Sequence, residues 1–266
     1  MSLIGAHVSA QGGVDKAPLS AVREGCECFQ FFSRSPQGGT ASVLTPAVIR
    51  KFKKYKLESY VHTPYYINLA SLNNRIKYGS IKVIREELER ASLLGVKYVM
   101  SHLGSAKDYQ KRLDATKEVI KSLDKILNGY RGKTIFLIEN SAGSGEIIGH
   151  DFKEIKKIIN SLKKYKIGVC LDVMHAFASG YPAETLMDKF NKEIGLKYLK
   201  LIHANDSKVA CGAHVDRHEN IGQGKIGLEN FKNWLQDKRL KKTNFILETP
   251  GGRQNDIEVL KQLRLN

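Results

Sequence analysis

The feature that most constrains this chain is a rhythm: short apolar runs alternate with helix-period segments from end to end. The strand-like runs are "LIGAHVS", "CECFQFFS", "SYVHTP", "KYVMSHLG", "TIFLIENS", "IGVCLDVMHA", "LKYLKLIHAND" and "TNFILETP". Between them, apolar residues recur at helical spacing over Gly79 to Leu94, Tyr109 to Leu127, Phe152 to Tyr165, Ala183 to Ile194 and Leu228 to Lys238, and a short last helix is read in "DIEVLKQLRL". Gly25, Gly95, Gly129 and Gly195 stand where helices should stop, because a left-handed residue there costs glycine little. Strands separated by helices must run parallel. Eight such units predict an α/β chain closed into a single (β/α)8 TIM-type barrel.

The 266 residues suit one barrel domain spanning 1–266, and no Pro/Ser-rich linker divides them. The four cysteines, Cys26, Cys28, Cys170 and Cys211, form no C-x-x-C pair, which points to a reduced, cytoplasmic protein without a disulfide framework. The start "MSLIGAHVSAQGG" lacks the basic and apolar regions of a secretory leader. No apolar run approaches the roughly 18 residues of a membrane span. Lys+Arg outnumber Asp+Glu by 43 to 27, giving +16, which favours a polyanionic partner without naming one.

Barrels of this kind carry their chemistry at the C-terminal ends of the strands. Six consecutive predicted strand ends hold a side chain able to bind a divalent metal: His62, His102, Glu139, Asp172, His203 and Glu248. Two residues before each lie Tyr60, Met100, Leu137, Cys170, Leu201 and Ile246, which strand alternation places on the same inward side. An apolar layer capped by imidazoles and carboxylates is what a metal site above a packed barrel needs. His175, three past Asp172, is expected where the sixth strand has turned into its loop. Asp216 and His218, two apart in "HVDRHENIGQG", would face one way from an extended loop and could join His175 in a further ligand set. His7, near the end of the first strand, is a candidate supporting residue or substrate contact, whereas His150 and His214 read as surface residues.

Two glycine-rich stretches fail as cofactor motifs. "GSGEIIG" has G-x-G-x-x-x-G spacing instead of the dinucleotide pattern, and "IGQGKIG" lacks the P-loop form. No nucleotide cofactor is expected. The glycines of "IGQGKIG" are read as letting a ligand-bearing loop turn sharply, and Cys26 and Cys28 as core packing.

The stretches "GAHVSAQGG", "ENSAGSG", "CLDVMHAFASGY", "HANDSK", "VDRHENIGQG" and "LETP" resemble the endonuclease IV family, in its order, from residue 5 to about residue 250. These are metal-dependent apurinic/apyrimidinic (AP) endonucleases of base-excision repair. The resemblance implies a TIM-type barrel with three zinc ions. One would take His62, His102 and Glu139. A second would take Glu139, Asp172, His203 and Glu248, and a third His175, Asp216 and His218. Mixed imidazole and carboxylate donors suit zinc and also admit manganese. The implied activity is metal-assisted hydrolysis of the phosphodiester 5′ to an abasic site in double-stranded DNA, by a monomer, leaving a 3′-hydroxyl and a 5′-deoxyribose phosphate. Glu139 would be the catalytic carboxylate, orienting the attacking water.

The resemblance also implies DNA contacts at Tyr65 and Arg217. One segment departs from it. The loop after the second strand carries a wedging Arg in the family, and here "SRSPQGGTAS" offers Gln37 followed by Gly38 and Gly39. Gln37 is the expected contact from this loop, and Arg34 would stand in only if the loop bent differently. Two other readings share parts of the pattern. A sugar isomerase or epimerase would use Glu139, Asp172, His203 and Glu248 but leave His175, Asp216 and His218 idle. A basic DNA-binding module would leave the ligand set unused.

Overall fold

The computed structural model describes residues 1–265. Ten strands and nine helices follow in chain order: β1 (Ile4–His7), α1 (Ala17–Arg23), β2 (Cys28–Phe32), α2 (Pro46–Lys53), β3 (Glu58–His62), α3 (Asn74–Leu94), β4 (Tyr98–Ser101), α4 (Arg112–Leu127), β5 (Ile135–Glu139), α5 (Phe152–Ser161), β6 (Ile167–Asp172), α6 (Val173–Ala178), α7 (Leu186–Glu193), β7 (Leu199–His203), β8 (Asp206–Ser207), β9 (His218–Glu219), α8 (Leu228–Gln236), β10 (Asn244–Leu247) and α9 (Arg253–Leu265). Strands β1 to β7 and β10 close into a parallel barrel in which β10 pairs with β1 and β7. The TIM-type barrel expected from the alternation is therefore the fold. Strands β8 and β9 form a small antiparallel ribbon outside it.

Most helix boundaries agree within a few residues, and the differences have local causes. Helix α3 begins at Asn74, before the predicted Gly79, because the Asn73 side chain accepts the amides of Arg75 and Ile76. It ends at Gly95, whose φ of 80° sets the left-handed cap. The segment Ala183 to Ile194 divides into a 3₁₀ turn, Ala183–Thr185, and α7. Residues 173–178, read as strand end and loop, form the helical turn α6, which Asp172 caps by accepting the His175 amide.

Apolar residues occupy two layers. The larger lies between sheet and helices, where Ile84, Leu88 and Ala91 of α3 and Ile155, Ile158 and Ile159 of α5 are buried. Burying each such Ile or Leu contributes about 1.5–3 kcal/mol. The smaller fills the barrel interior with Tyr60, Met100, Leu137, Cys170, Leu201 and Ile246, the six predicted, together with Cys28 and Tyr98. A register shift in the β6–β7 pairing skips Lys200, so that Cys170 meets Leu201 and Asp172 meets His203. That extra residue aligns Asp172 with His203 on the inner side. Among the described residues, no helix is long and apolar enough to cross a membrane.

Candidate metal centre

Strands β3, β5, β6 and β7 end in His62, Glu139, Asp172 and His203, while His102 and Glu248 follow β4 and β10 by one residue. The rim brings them together. The potential ligand atoms of His62, His102 and Glu139 lie within 4.8 Å of one another, and so do those of Glu139, Asp172, His203 and Glu248. A third group of the same tightness is Asp172, His175 and His218. His62, His102, His175, His218 and Glu248 line a cleft of about 500 Å³, while Glu139, Asp172 and His203 are wholly buried.

Glu139 is wholly buried and joins the first two groups. Its Oε2 lies 2.8 Å from His62 Nε2 and 3.7 Å from His102 Nε2, and its Oε1 lies 3.0 Å from His203 Nδ1. Burial alone would raise its carboxyl pKa. The surrounding His102, His203 and His62 reverse that and hold it well below the usual carboxylate range. Glu248 is likewise lowered against its burial, mainly by His203.

The residues of the third expected set, His175, Asp216 and His218, lie side by side. Asp216 reaches His175 Nε2 with Oδ2 at 3.3 Å and His218 Nε2 with Oδ1 at 3.4 Å, so its two oxygens serve different rings. Its side chain is half exposed, and the buried Asp172 carboxylate stands farther off, with Oδ2 3.8 Å from His218 Nε2. His175 Nδ1 donates to the Asn140 carbonyl at 3.0 Å and His218 Nδ1 to the Glu248 carbonyl at 3.2 Å. Their two Nε2 atoms therefore face each other 3.3 Å apart as acceptors, with a carboxylate beside them. Three acceptors converging on one point require a cation there, a proton or a metal. The donor set fits a divalent metal.

Several supporting residues escaped the sequence reading. Asn140 holds the end of β6 by accepting the Asp172 amide at 2.7 Å and donating to its carbonyl at 2.9 Å. Asn205 donates to Asp172 Oδ2 at 2.7 Å and accepts the Glu248 amide at 2.7 Å. Gln30 is wholly buried beneath the cage. Its signal was a lone amide inside the apolar strand "CFQFF", in phase with inward-facing Cys28. His7 is a neighbour of the cage, with Nδ1 3.3 Å from Glu248 Oε1.

The glycine run "IGQGKIG" is neither a ligand cradle nor only a flexible turn. The amides of Gly222, Gly224 and Ile226 donate to the buried Asp206 carboxylate at 2.9–3.1 Å. A Cβ on Gly224 would sit 2.4 Å from Asp206 Oδ1, which explains the glycine. The chain's own carboxylate thus occupies the anion nest and fixes the loop that follows β9.

Of the three expected DNA contacts, Tyr65 lines the cleft, and all three are exposed. Tyr65 is 71% exposed, its ring edge-on to Phe32 at 5.2 Å. Arg217 is exposed, donating only to the Asp216 carbonyl. Gln37 is exposed in the β2–α2 loop. Arg34 cannot replace the missing wedge: it is buried, donating to Glu87 at 2.6 Å and to Glu86 at 2.8 Å. His214 is exposed as expected, but His150 is half-buried and accepts from Arg112 at 2.8 Å.

The sequence matches the xylose isomerase-like TIM barrel family over residues 19–264. It is 41% identical to a "Probable endonuclease 4" of Aquifex aeolicus, covering 100% of this chain and 99% of that protein. Among solved structures, endonuclease IV from Thermus thermophilus superposes with a TM-score of 0.84 at 33% identity, covering 99% of this chain and 98% of that one. A D-tagatose 3-epimerase-like protein shares the fold at 20% identity with a TM-score of 0.75, covering 98% of this chain and 96% of its own. Full-length relatedness at this level, carried on the same barrel, places the chain in the endonuclease IV family.

Proposed function

We propose that this chain is a DNA-repair AP endonuclease that hydrolyses the phosphodiester 5′ to an abasic site in duplex DNA, acting as a monomer and leaving a 3′-hydroxyl and a 5′-deoxyribose phosphate. The carrying observation is the convergence of His62, His102, Glu139, Asp172, His175, His203, Asp216, His218 and Glu248 around one open cleft. In this reading His62, His102 and Glu139 hold one ion, Glu139, Asp172, His203 and Glu248 a second, and His175, Asp216 and His218 a third. Zinc is the ion the donors suit best. Such ions supply activation of water at neutral pH and neutralisation of phosphate charge.

The chain's own residues do the positioning. Glu139, ionised and touching two groups, orients the attacking water. Asn140 and Asn205 fix Asp172, and Asn205 also fixes the backbone of Glu248, so the cage is preorganised. Tyr65 lines the cleft with its side chain exposed, and Arg217 and Gln37 are also open to solvent. Without a base to unstack, an abasic sugar is cheaper to extrude into the cleft than an intact nucleotide. The net charge of +16 supports a phosphate backbone as partner.

The test is a duplex carrying one tetrahydrofuran abasic analogue, incubated with metal-replete protein. Incision on the 5′ side of the analogue, with an undamaged duplex left intact and near three zinc ions per chain by elemental analysis, is the expected result. Zinc-loaded protein that binds but never cuts the analogue would leave only a DNA-binding module.

A further inference from the structure

The histidines of the cage do not all face it with the same nitrogen. His62 donates from Nδ1 to the Thr63 carbonyl at 2.6 Å, His175 to that of Asn140 at 3.0 Å and His218 to that of Glu248 at 3.2 Å. Each of these rings is thereby left with Nε2 toward the cage. His203 is reversed. Its Nε2 lies 2.8 Å from Gln30 Oε1, and its Nδ1 faces Glu139 Oε1 at 3.0 Å, Glu248 Oε2 at 3.2 Å and Asp172 Oδ2 at 3.8 Å. No backbone carbonyl sets this ring; a side-chain amide does.

The orientation of that amide is itself determined. Gln30 Nε2 lies 2.6 Å from Glu248 Oε1 and 2.9 Å from His7 Nδ1. An ionised carboxylate only accepts, so the NH₂ end must face Glu248. The carbonyl end must then face His203, where it accepts only from a protonated Nε2. We infer that Gln30 is a positioning residue that selects Nδ1 of His203 as its metal-facing nitrogen and at the same time anchors Glu248. This rests on the metal-centre reading above and adds to it a residue on β2, a strand that contributes none of the proposed ligands.

The geometry makes a local demand. The other tautomer of His203, protonated at Nδ1, would set a bare Nε2 against the Gln30 carbonyl, two acceptors at hydrogen-bond distance inside a wholly buried site, and a flipped ring would lose the interaction that sets it. Partners of this kind typically change metal affinity 10–100-fold when removed. Gln30→Met keeps the side-chain length and removes both functions. The loss should fall on the group containing His203 and Glu248, and spare the one built from His175, Asp216 and His218.

Two measurements test this on the full chain. In wild-type, zinc-loaded protein labelled with ¹⁵N at histidine, long-range ¹H–¹⁵N correlation should show His203 zinc-bound at Nδ1 and protonated at Nε2, the reverse of His62, His175 and His218. Zinc on His203 Nε2 overturns the assignment whatever becomes of any variant. In Gln30→Met, chelator competition should show one zinc of three held about 10–100-fold more weakly, and cobalt substituted at that position should show an altered visible spectrum. A folded Gln30→Met protein with all three affinities and the cobalt spectrum unchanged also overturns it. Wild-type protein that takes up no zinc refutes the metal centre itself, a failure distinct from either.

Discussion

Arg34 Nε donates to Glu87 Oε1 at 2.6 Å, and the two side chains are 4% and 0% exposed. The pair fastens the β2–α2 loop to α3. Glu87 also accepts from Ser33 Oγ at 2.7 Å, and Arg90, one turn on, donates to the carbonyls of Ser33 at 2.8 Å and Ser42 at 2.7 Å. Both ends of the loop that presents Gln37 are therefore tied to one helix. Glu87→Ala would leave the buried guanidinium paired only with the part-exposed Glu86, and its unfolding free energy should fall by about 1–3 kcal/mol. Chemical denaturation measures this, and Arg34→Met in the same background should recover part of the loss. A single-variant effect below about 1 kcal/mol is what an exposed pair would give, and would remove the anchoring role.

His175 should make metal uptake release protons. Burial works to lower its pKa, but the Asp172 and Asp216 carboxylates outweigh burial and push it up to about 10. Because the folded value exceeds the ordinary 6.5, the charged ring stabilises the metal-free fold fully below about 6.5, and this contribution is lost as pH rises through about 10. A metal needs the neutral ring, so loading at neutral pH must displace that proton, and affinity should rise with pH up to about 10. Calorimetric zinc titration in buffers of different ionisation enthalpy reads the proton count. Buffer-independent heats would contradict it.

Glu139→Gln should fold and lose incision. The amide keeps the shape but gives up the charge that faces His62, His102 and His203 together. The turnover number on the abasic duplex should fall at least about 10²–10⁴-fold, with zinc content reduced in the first two groups. Near-normal turnover would refute the bridging role.

Binding to DNA should weaken steeply with salt. If about 6–10 phosphates are contacted, affinity drops about 10³–10⁵-fold between roughly 50 and 200 mM salt. Arg217→Ala should lower the slope of log affinity against log salt by about 1. Fluorescence anisotropy at several salt concentrations checks both. A flat salt response would disconnect the +16 charge from binding.

Tyr65→Ala should separate recognition from stability. With 71% of the residue exposed, its removal should change unfolding by less than about 0.5 kcal/mol. Binding to the abasic duplex should weaken by about 1–3 kcal/mol if the ring stacks on DNA, with intact duplex much less affected. Equal losses on both duplexes would assign Tyr65 a general contact.

Much of the site was legible in the sequence because strands are short, regular and local. A period of two fixed which residues turn inward, so Tyr60, Leu137 and Ile246 fell in the interior layer and Glu139, Asp172 and His203 at its rim. A register shift opposite Val169 and Cys170, which alone brings Asp172 level with His203, leaves no comparable mark on a single strand. Nor could spacing show that His175 sits on a helical turn capped by Asp172, since an interval of three suits a loop equally well.

The sequence by itself determined the barrel and the ring of donor residues, because alternation and strand ends are properties of neighbouring residues. Only the tertiary structure decided how those donors face one another: that Asp216 splits its oxygens between two histidines, that Arg34 is spent on Glu87, and that His203 is turned by Gln30 from 173 positions away. Hydrogen-bond direction and burial depend on which distant groups the closed barrel brings within about 3 Å, and periodicity along the chain carries no record of that.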